Sequence, residues 1–445
     1  MKRLLLALLL ASAAAAQESQ TGAAPKPAGT KPPGDNPVNE QFELQQALGQ
    51  TGGSPAEFIR VLEDHLKKHP NSERRAELER VIFKAALETH DDARIVQYGE
   101  KLASAEKPDL EALDRYSRAL LVGESKERAA KALEVAKRLE ETLLNNDSEA
   151  AEQPGKLFQS GRDRARFREE MDRSLSRALM TQAQASGVLG RSGDAIDMAQ
   201  RAFHTYPSME SAHELARWQL AAGHRQEAIA ALADAFTLAE PKSGAERAAD
   251  RKKMGELYRE LKGSEAGLGD LLLQSYDRLA VTMSRRREAL RELDPNLDRS
   301  DPLDFTLSNP KGTHLSLSSL RGKVVVLDFW ATWCGPCRAQ YPLYEEVKKK
   351  YKDRDDVVFL AISTDEDRGA VEPFLKEQHW NKNVYFEDGL SSLLRVSSIP
   401  TTIVFGRSGK IAARLNGFLP EQFVDMLSAR IDAELAAGPA QPAGN

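Results

Sequence analysis

The only two cysteines of this 445-residue chain lie three residues apart, in the segment WATWCGPC (330–337). A disulfide with this spacing closes a very short loop, so as a structural cross-link it would constrain the unfolded chain little. A structural zinc site usually needs four ligands, and no histidine lies near the pair in sequence to complete one. The pattern therefore favours a reactive dithiol, in which a thiolate is the nucleophile.

The two cysteines are predicted to lie where a strand ends and a helix begins. They follow 323–330, a continuous apolar and β-branched run typical of a buried central strand, and a helical pattern comes after them. Because the N-terminus of a helix favours negative charge, we expect a lowered thiol pKa at Cys334, which would make it the attacking residue. Cys337, one helical turn later, would resolve the mixed disulfide, and Pro336 suits the first helical turn.

Asp328 stands inside that otherwise apolar run. Burial disfavours the charged form of a carboxyl group, so we expect Asp328 to bind a proton more readily than an exposed acid does. A buried acid near a redox pair suits a catalytic role. The alternative is a strand-end carboxylate whose hydrogen bonds are satisfied.

From residue 304 onward, strand-like and helical patterns alternate, which predicts an α/β domain with a mostly parallel or mixed sheet. The strand-like segments are 314–320, 323–330, 357–363, 384–386, 401–405 and 409–417. The helical segments are 336–351, 369–378 and 419–435.

The segment from about residue 304 to 435 resembles the thioredoxin fold, and within it the TlpA-like family of exported thiol–disulfide oxidoreductases. The motifs that carry the resemblance are DFWA (328–331), WCGPC (333–337) and IPTT (399–402), in that order. The segment LAISTDED (360–367) is similar to the TlpA branch rather than to cytosolic thioredoxin. The predicted domain covers residues 300–435.

The resemblance assigns roles to individual residues. Asp328 would exchange a proton with Cys337 as that thiol attacks. Pro400 would form a cis peptide bond that places the backbone of Ile399 beside the first cysteine, where an extended substrate segment could pair with it. An ordinary trans proline that opens a strand is the alternative. Trp333 would cover the sulfurs. The motif is completed by Gly335, Pro336 and Trp330, of which Trp330 is equally well explained as core packing.

The N-terminal 16 residues have the pattern of a cleaved secretory signal peptide. Lys2 and Arg3 precede an apolar run, and a small-x-small site ends at Ala16. This predicts a periplasmic or secreted protein. Residues 17–39, rich in Pro, Gly and Ala, and the tail 436–445 are predicted to be disordered.

Residues 40–295 have a helical pattern with an internal repeat. GRSGDAIDMAQRAF (190–203) matches GHRQEAIAALADAF (223–236) at a spacing of 33 residues. The two units resemble tetratricopeptide repeats, whose helix pairs recur at about 34 residues. The fold class predicted for the whole chain is therefore α+β and multidomain, with an all-α TPR-like solenoid followed by a thioredoxin-fold domain. Such solenoids bind protein partners on a concave face, whereas a plain supporting helical bundle is the alternative.

Composition excludes other function classes. The formal net charge is -5 and the pI is near 6.0, so the basic footprint of a nucleic-acid-binding protein is missing. His65 and His69 have a spacing that can hold zinc, but no third ligand is apparent, and exposed helix residues are expected instead. No metal and no cofactor beyond the Cys334–Cys337 dithiol is predicted.

The sequence favours a reductant of disulfide-containing client proteins. The CGPC centre and the Ile before Pro400 resemble reducing thioredoxins. By the same resemblance, a membrane thiol carrier would supply electrons, and apocytochrome c is a typical target, which suggests cytochrome c biogenesis. Three alternatives stay open: a disulfide oxidase or isomerase of the same fold, a thiol peroxidase, and a non-catalytic TPR scaffold.

Overall fold

The computed structural model of the protein describes residues 37–123, 125–152, 157–240 and 242–437, with side chains from residue 40 onward. The predicted signal peptide and most of the predicted linker lie outside these residues, as does the tail after residue 437. The linker's last three predicted residues, 37–39, already belong to a helix.

The first part of the chain is helical, as its periodicity predicts. Its helices are α1 (Pro37–Gly49), α2 (Pro55–Lys68), α3 (Arg75–Thr89), α4 (Asp92–Ala103), α5 (Leu110–Ala119), α6 (Lys126–Glu152), α7 (Gly161–Val188), α8 (Ser192–Thr205), α9 (Met209–Ala221), α10 (Arg225–Leu238), α11 (Gly244–Lys262) and α12 (Leu268–Leu293).

The chain divides into two compact units whose boundaries lie inside helices. One unit comprises Met1–Asp147 and Met171–Asp277, and the other comprises Ser148–Glu170 and Arg278–Asn445. The second unit therefore includes the first turns of α7 and the later turns of α12, in addition to the predicted thioredoxin-like domain. Within the described part of the chain, no helix combines the length and apolar character needed to cross a membrane.

The predicted repeat corresponds to two helical hairpins of the first unit, α8–α9 and α10–α11. Gly190 and Gly223, the first residues of the two copies, adopt nearly the same left-handed conformation, with φ of 79° and 80°. Glycine tolerates this conformation without the steric penalty that a side chain brings. Ala195 and its counterpart Ala228 are fully buried, which allows the paired helices to approach closely. The hairpins support the repeat, and its assignment to the tetratricopeptide family stays a prediction.

The expectation that His65 and His69 are exposed is wrong. They are 7% and 8% exposed, because α1 packs over the face of α2 that carries them. His65 Nε2 lies 3.0 Å from Glu40 Oε1, and His69 Nε2 lies 3.4 Å from Glu43 Oε2. The covering helix begins inside the segment predicted to be a linker, so the sequence pattern of α2 alone could not reveal it.

The second unit contains a five-stranded mixed sheet, with strand order β5-β4-β3-β6-β7. β4 is parallel to β3 and to β5, whereas β6 is antiparallel to β3 and to β7. A separate antiparallel pair is formed by β1 and β2. The strands are β1 (Thr306–Ser308), β2 (His314–Ser316), β3 (Val324–Trp330), β4 (Val357–Ser363), β5 (Val384–Phe386), β6 (Thr401–Phe405) and β7 (Ile411–Asn416), and the helices are α13 (Gly335–Lys350), α14 (Val371–Glu377), α15 (Leu390–Leu393) and α16 (Pro420–Ala436).

One strand prediction is partly wrong. The alternating segment 314–320 forms a strand only as far as Ser316, and 317–320 is a 3₁₀ turn. The backbone N–H of Leu317 donates to Phe305 O, and the hydroxyl of Ser319 donates to Ser316 O. These hydrogen bonds turn the chain and bury Leu317 fully.

Strand β3 is buried throughout, and apolar except for Asp328, because both faces of the sheet are covered. Val325, Leu327 and Phe329 belong to a core on one face, together with residues of β4 and β6. Val324 and Val326 belong to the core on the other face, which includes residues of α13 and α16. By the two-residue alternation of a strand, Asp328 and Trp330 share the face that α13 covers.

Candidate active site

The two cysteines lie at the junction of β3 and α13, as predicted. Cys334 is the N-cap residue of α13, and its Sγ accepts the backbone N–H of Cys337 at 3.2 Å. The two residues form a disulfide with a Cα–Cα distance of 5.3 Å. They are 4% and 2% exposed. Helix dipole and backbone donors at this position favour a negative charge on Cys334 once the disulfide is reduced.

The peptide bond between Ile399 and Pro400 is cis. Ile399 packs against the buried cluster that contains both cysteines and Trp330. The carbonyl of Pro400 accepts the backbone N–H of Gly417 at 2.8 Å, which fixes this segment just before β6. The structure thus brings the predicted substrate-binding segment next to the redox pair.

The two tryptophans of the motif have different environments. Trp333 is 72% exposed, directly before Cys334 in the chain. Trp330 is fully buried, and its ring centroid lies 5.9 Å from that of Phe374 and 5.7 Å from that of Trp380. Trp330 is therefore a core residue under the site, and Trp333 is available at the surface for a partner.

Asp328 is 2% exposed and has partners from three other elements. Gln340 Nε2 donates to its Oδ1 at 3.0 Å, and the Thr402 hydroxyl lies 3.4 Å from the same oxygen. Lys382 Nζ donates to Oδ2 at 3.3 Å. Because the side chains of Asp328 and Lys382 are 3% and 2% exposed, the structure contains a buried ion pair in the helix-covered layer that also holds the disulfide.

Lys382 was not found from the sequence. Its ammonium lies 4.4 Å from the ring centroid of Trp330, 4.9 Å from that of Trp380, 5.3 Å from that of Tyr341 and 5.8 Å from that of Tyr344. Rings at these distances attract a cation through their negative faces. Burial lowers the pKa of Lys382, and the negative charge of Asp328 opposes that change.

Gln340 was also missed, although its position carried a signal. It lies three residues after Cys337, on the same buried face of α13. A polar residue at such a position is expected to meet a buried partner, and Asp328 is that partner. Lys382 offered no comparable signal, because it lies 54 residues from Asp328, in an irregular segment before β5.

No metal centre accompanies these residues: among the described residues, no group of three or more His, Cys, Asp or Glu side chains could hold a metal ion. The polar groups gathered around Asp328 are the amide of Gln340, the ammonium of Lys382 and the hydroxyl of Thr402. A carboxyl group in such surroundings can accept, hold and release a proton.

Comparisons with known proteins agree with this geometry. A family described as thioredoxin-like matches residues 322–411. Thiol-disulfide oxidoreductase ResA of Bacillus subtilis (strain 168) is 32% identical over 127 residues, which cover 28% of this chain and 70% of that protein. The chain belongs to the thioredoxin-like thiol–disulfide oxidoreductases. Another ResA, from Geobacillus kaustophilus (strain HTA426), is 30% identical over 124 residues and is covered over 71% of its length.

Two solved structures of oxidoreductases match part of this chain. A putative thiol:disulfide interchange protein DsbE from Chlorobium tepidum is 34% identical, with a TM-score of 0.28, and covers 30% of this chain and 93% of its own. A secreted Mycobacterium tuberculosis disulfide oxidoreductase, homologous to E. coli DsbE, is 28% identical, with a TM-score of 0.27, and covers 30% of this chain and 99% of its own.

Proposed function

We propose that this oxidoreductase reduces disulfides of client proteins outside the cytoplasm, through the Cys334–Cys337 dithiol. The observation that carries the proposal is a Cys-x-x-Cys disulfide at the start of α13, in a cluster that also holds Ile399 beside a cis-proline, with a buried carboxylate under the same helix. A non-catalytic scaffold, in which the thioredoxin-like domain were only a passive adaptor, would have no use for that carboxylate.

The reaction follows from the roles of the two sulfurs. The thiolate of Cys334 attacks a client disulfide, one client sulfur leaves as a thiolate, and a mixed disulfide forms. The thiol of Cys337 gives its proton to Asp328 and attacks Cys334 Sγ. The second client sulfur then leaves as a thiolate, the Cys334–Cys337 disulfide forms, and the client has gained two electrons. The proton on Asp328 is later released to solvent or to a leaving thiolate.

The surroundings of Lys382 support this proton transfer. When Asp328 is protonated, the ammonium of Lys382 loses the negative charge that balanced it. The four rings around the ammonium continue to stabilise it. Asp328 can therefore be protonated while Lys382 stays buried.

The proposed direction, reduction, rests on the CGPC sequence and on the Ile before Pro400. A client-reducing protein outside the cytoplasm must be re-reduced, and a membrane thiol carrier is the proposed electron donor. Apocytochrome c is a proposed client. Because Arg338 follows the second cysteine, the chain lacks the Cys-x-x-Cys-His pattern that would attach haem to this protein itself.

Export is part of the proposal and is supported by the signal-peptide pattern of residues 1–16. The helical unit is proposed to bind a protein partner. Its hairpins α8–α9 and α10–α11 are two copies of one sequence repeat, and stacked helical repeats expose an extended binding face.

The direct test is reduction of insulin by the mature protein with an added thiol reductant. Cys334→Ser is expected to abolish the activity, because it removes the attacking thiolate and leaves Cys337 without a partner cysteine with which to form the disulfide that releases the client. Cys337→Ser is expected to accumulate a mixed disulfide with the client, which mass spectrometry would detect. Undiminished insulin reduction by Cys334→Ser would overturn the proposal.

An oxidase or isomerase of the same fold is the second candidate, and the reduction potential separates it. A value near about -270 mV identifies a reductant, and one near about -120 mV identifies an oxidant. A peroxide turnover assay tests the third candidate, a thiol peroxidase. In such enzymes a Thr is expected where this chain has Ala331.

A further inference from the structure

One buried carboxylate holds the loop between β3 and α13. Asp365 follows β4 in the segment LAISTDED (360–367) and is 9% exposed. Its oxygens accept the backbone N–H of Thr332 at 3.0 and 3.1 Å, and Oδ1 accepts the hydroxyl of Thr332 at 2.7 Å. The hydroxyl of Ser363 donates to Oδ2 at 2.9 Å. Both oxygens of the carboxylate therefore accept hydrogen bonds, and these come from Thr332 and Ser363 rather than from a catalytic residue.

The same strand end is tied to β3 by a second set of hydrogen bonds. The backbone N–H and the hydroxyl of Thr364 donate to Trp330 O at 2.9 and 3.3 Å. After the loop, the N–H of Cys334 donates to Ala331 O at 3.1 Å. Hydrogen bonds thus fix the loop at its start, at Thr332 and at its end. Cys334 lies two residues after Thr332, the residue that Asp365 binds.

Among the described residues, none forms an ion pair with Asp365. In the part of the chain that the structure describes, the donors to its carboxylate are the neutral groups of Thr332 and Ser363. Arg368, three residues later, pairs with Asp388 at 2.6 Å instead. In the low dielectric of a protein, the negative charge of a carboxylate acts over a longer range than in water.

We propose that Asp365 is a positioning residue for the redox pair: it fixes the loop that precedes Cys334, and its negative charge favours the disulfide over the dithiol. This inference rests on the proposed function and identifies a residue that influences the reduction potential of the Cys334–Cys337 pair. A negative charge near Cys334 disfavours the thiolate there, so the reduced form is less stable and gives up its electrons more readily.

The test is the thiol–disulfide equilibrium of the full chain in glutathione buffers, followed by trapping free thiols. Asp365→Asn keeps the shape of the side chain and removes its charge. The equilibrium constant for reduction of the disulfide is expected to rise about threefold to tenfold, which is about 15–30 mV toward a more oxidising potential at 29.6 mV per tenfold. Alkylation of Cys334 in the reduced variant is expected to be faster near neutral pH, because more thiolate is present.

Two further variants separate charge from geometry. Glu366→Gln removes the same charge from the exposed neighbour and is expected to leave the equilibrium at the wild-type value. Thr332→Val removes one donor but keeps the charge of Asp365, and a smaller shift is expected. An unchanged equilibrium in Asp365→Asn overturns the inference, and so does a Thr332→Val shift as large as that of Asp365→Asn.

The measurement needs no client, so its outcome is distinct from that of the insulin assay. A wild-type protein that fails to reduce insulin while Asp365→Asn still shifts the glutathione equilibrium would overturn the proposed reductase and leave the role of Asp365 intact. Circular dichroism checks the fold of each variant. If Asp365→Asn does not fold, Asp365→Ser, which keeps an acceptor for the Thr332 N–H, replaces it in the same comparison.

Discussion

Two buried tryptophans, one in each compact unit, each lie against a cation that is close to a carboxylate. Trp218 is 7% exposed, its indole N–H donates to Glu214, and the guanidinium of Arg217 lies 4.8 Å from its ring centroid. Trp330 is fully buried, and the ammonium of Lys382, which pairs with Asp328, lies 4.4 Å from its ring centroid. Each site thus combines an indole, a carboxylate and a cation.

The two sites differ in where their partners come from and in how deeply the cation is buried. Glu214 and Arg217 lie within one helical turn of Trp218, and the side chain of Arg217 is 50% exposed. Lys382 comes from 54 residues beyond Asp328, and its side chain is 2% exposed. A buried charge pair contributes little net stability and is costly to break, which fits the chemical role proposed for Asp328.

The largest expected effect is that of Lys382→Met. Removing one partner of a buried ion pair leaves an uncompensated charge and costs about 3–5 kcal/mol. In the disulfide form of this variant, calorimetry is expected to show a lower melting temperature for the second compact unit, which contains the cysteines. Adding Asp328→Asn should recover part of the loss, because the unpaired carboxylate is then removed.

The matched control for that variant is Arg217→Met. Since Arg217 is half exposed, its loss is expected to change stability by no more than about 0.5 kcal/mol. Equal losses in the two variants would mean that the two tryptophan sites are energetically equivalent, which contradicts the comparison.

The next effect is on rate. Asp328→Asn cannot take the proton of Cys337, and insulin reduction is expected to slow by at least about tenfold, within the range of general acid–base contributions. The release of client from a preformed mixed disulfide, followed by stopped-flow fluorescence, isolates the affected step. Glu214→Gln, the corresponding change at Trp218, is expected to leave that rate unchanged, and a similar slowing there would contradict a local role for Asp328.

Close packing at Trp218 gives a smaller effect on stability. A Cβ placed on Gly187 would overlap the ring of Trp218, so Gly187→Ala is expected to cost about 1–3 kcal/mol by overpacking. The reduction potential should be unaffected. Gly335→Ala is the matched control, because nothing lies within 4 Å of its added Cβ and the residue is already in the first turn of a helix. Urea unfolding of both variants checks the difference.

The smallest effect is a pH dependence in the helical unit. Burial alone would raise the pKa of Glu40, but hydrogen bonds from Ser72 and His65 outweigh it, and the net pKa is lowered. A carboxyl group whose pKa is lowered on folding stabilises the protein above its ordinary pKa of 4.5 and loses that contribution as pH falls through the lowered value. Glu40→Gln is therefore expected to be less stable than wild type near neutral pH and to converge with it in acid. Thermal melts across that pH range test this, and a constant difference would contradict it.

Much of the fold followed from sequence periodicity. The segments 357–363, 384–386 and 401–405 form strands with the bounds predicted, because short apolar runs between turn residues leave few alternatives. The long helix over Leu268–Leu293 lies within the helical pattern predicted for residues 40–295. The boundaries between the two compact units had no sequence signal, because each lies inside a helix whose pattern continues through it.

The candidate site was predictable only where a residue conflicts with its local pattern. Asp328 is a charge in an apolar strand, and the cysteines stand at a recognisable strand–helix junction. Lys382 and Asp365 act through contacts between segments that are distant in sequence, so neither conflicts with its own neighbours. Tertiary packing, which the local pattern does not encode, places them.

Cys334 serves as the N-cap of α13, a position usually filled by an oxygen of Ser, Thr, Asp or Asn. Its sulfur accepts the N–H of Cys337 in the disulfide form, and a thiolate at the same place is a stronger acceptor because it is charged. The strength of the hydrogen bond in the first turn of α13 therefore depends on whether the cysteines are in the disulfide or the dithiol form. The backbone amide of Cys337 should exchange its hydrogen with deuterated solvent more slowly in the dithiol form, which makes one peptide N–H a built-in reporter of the redox state.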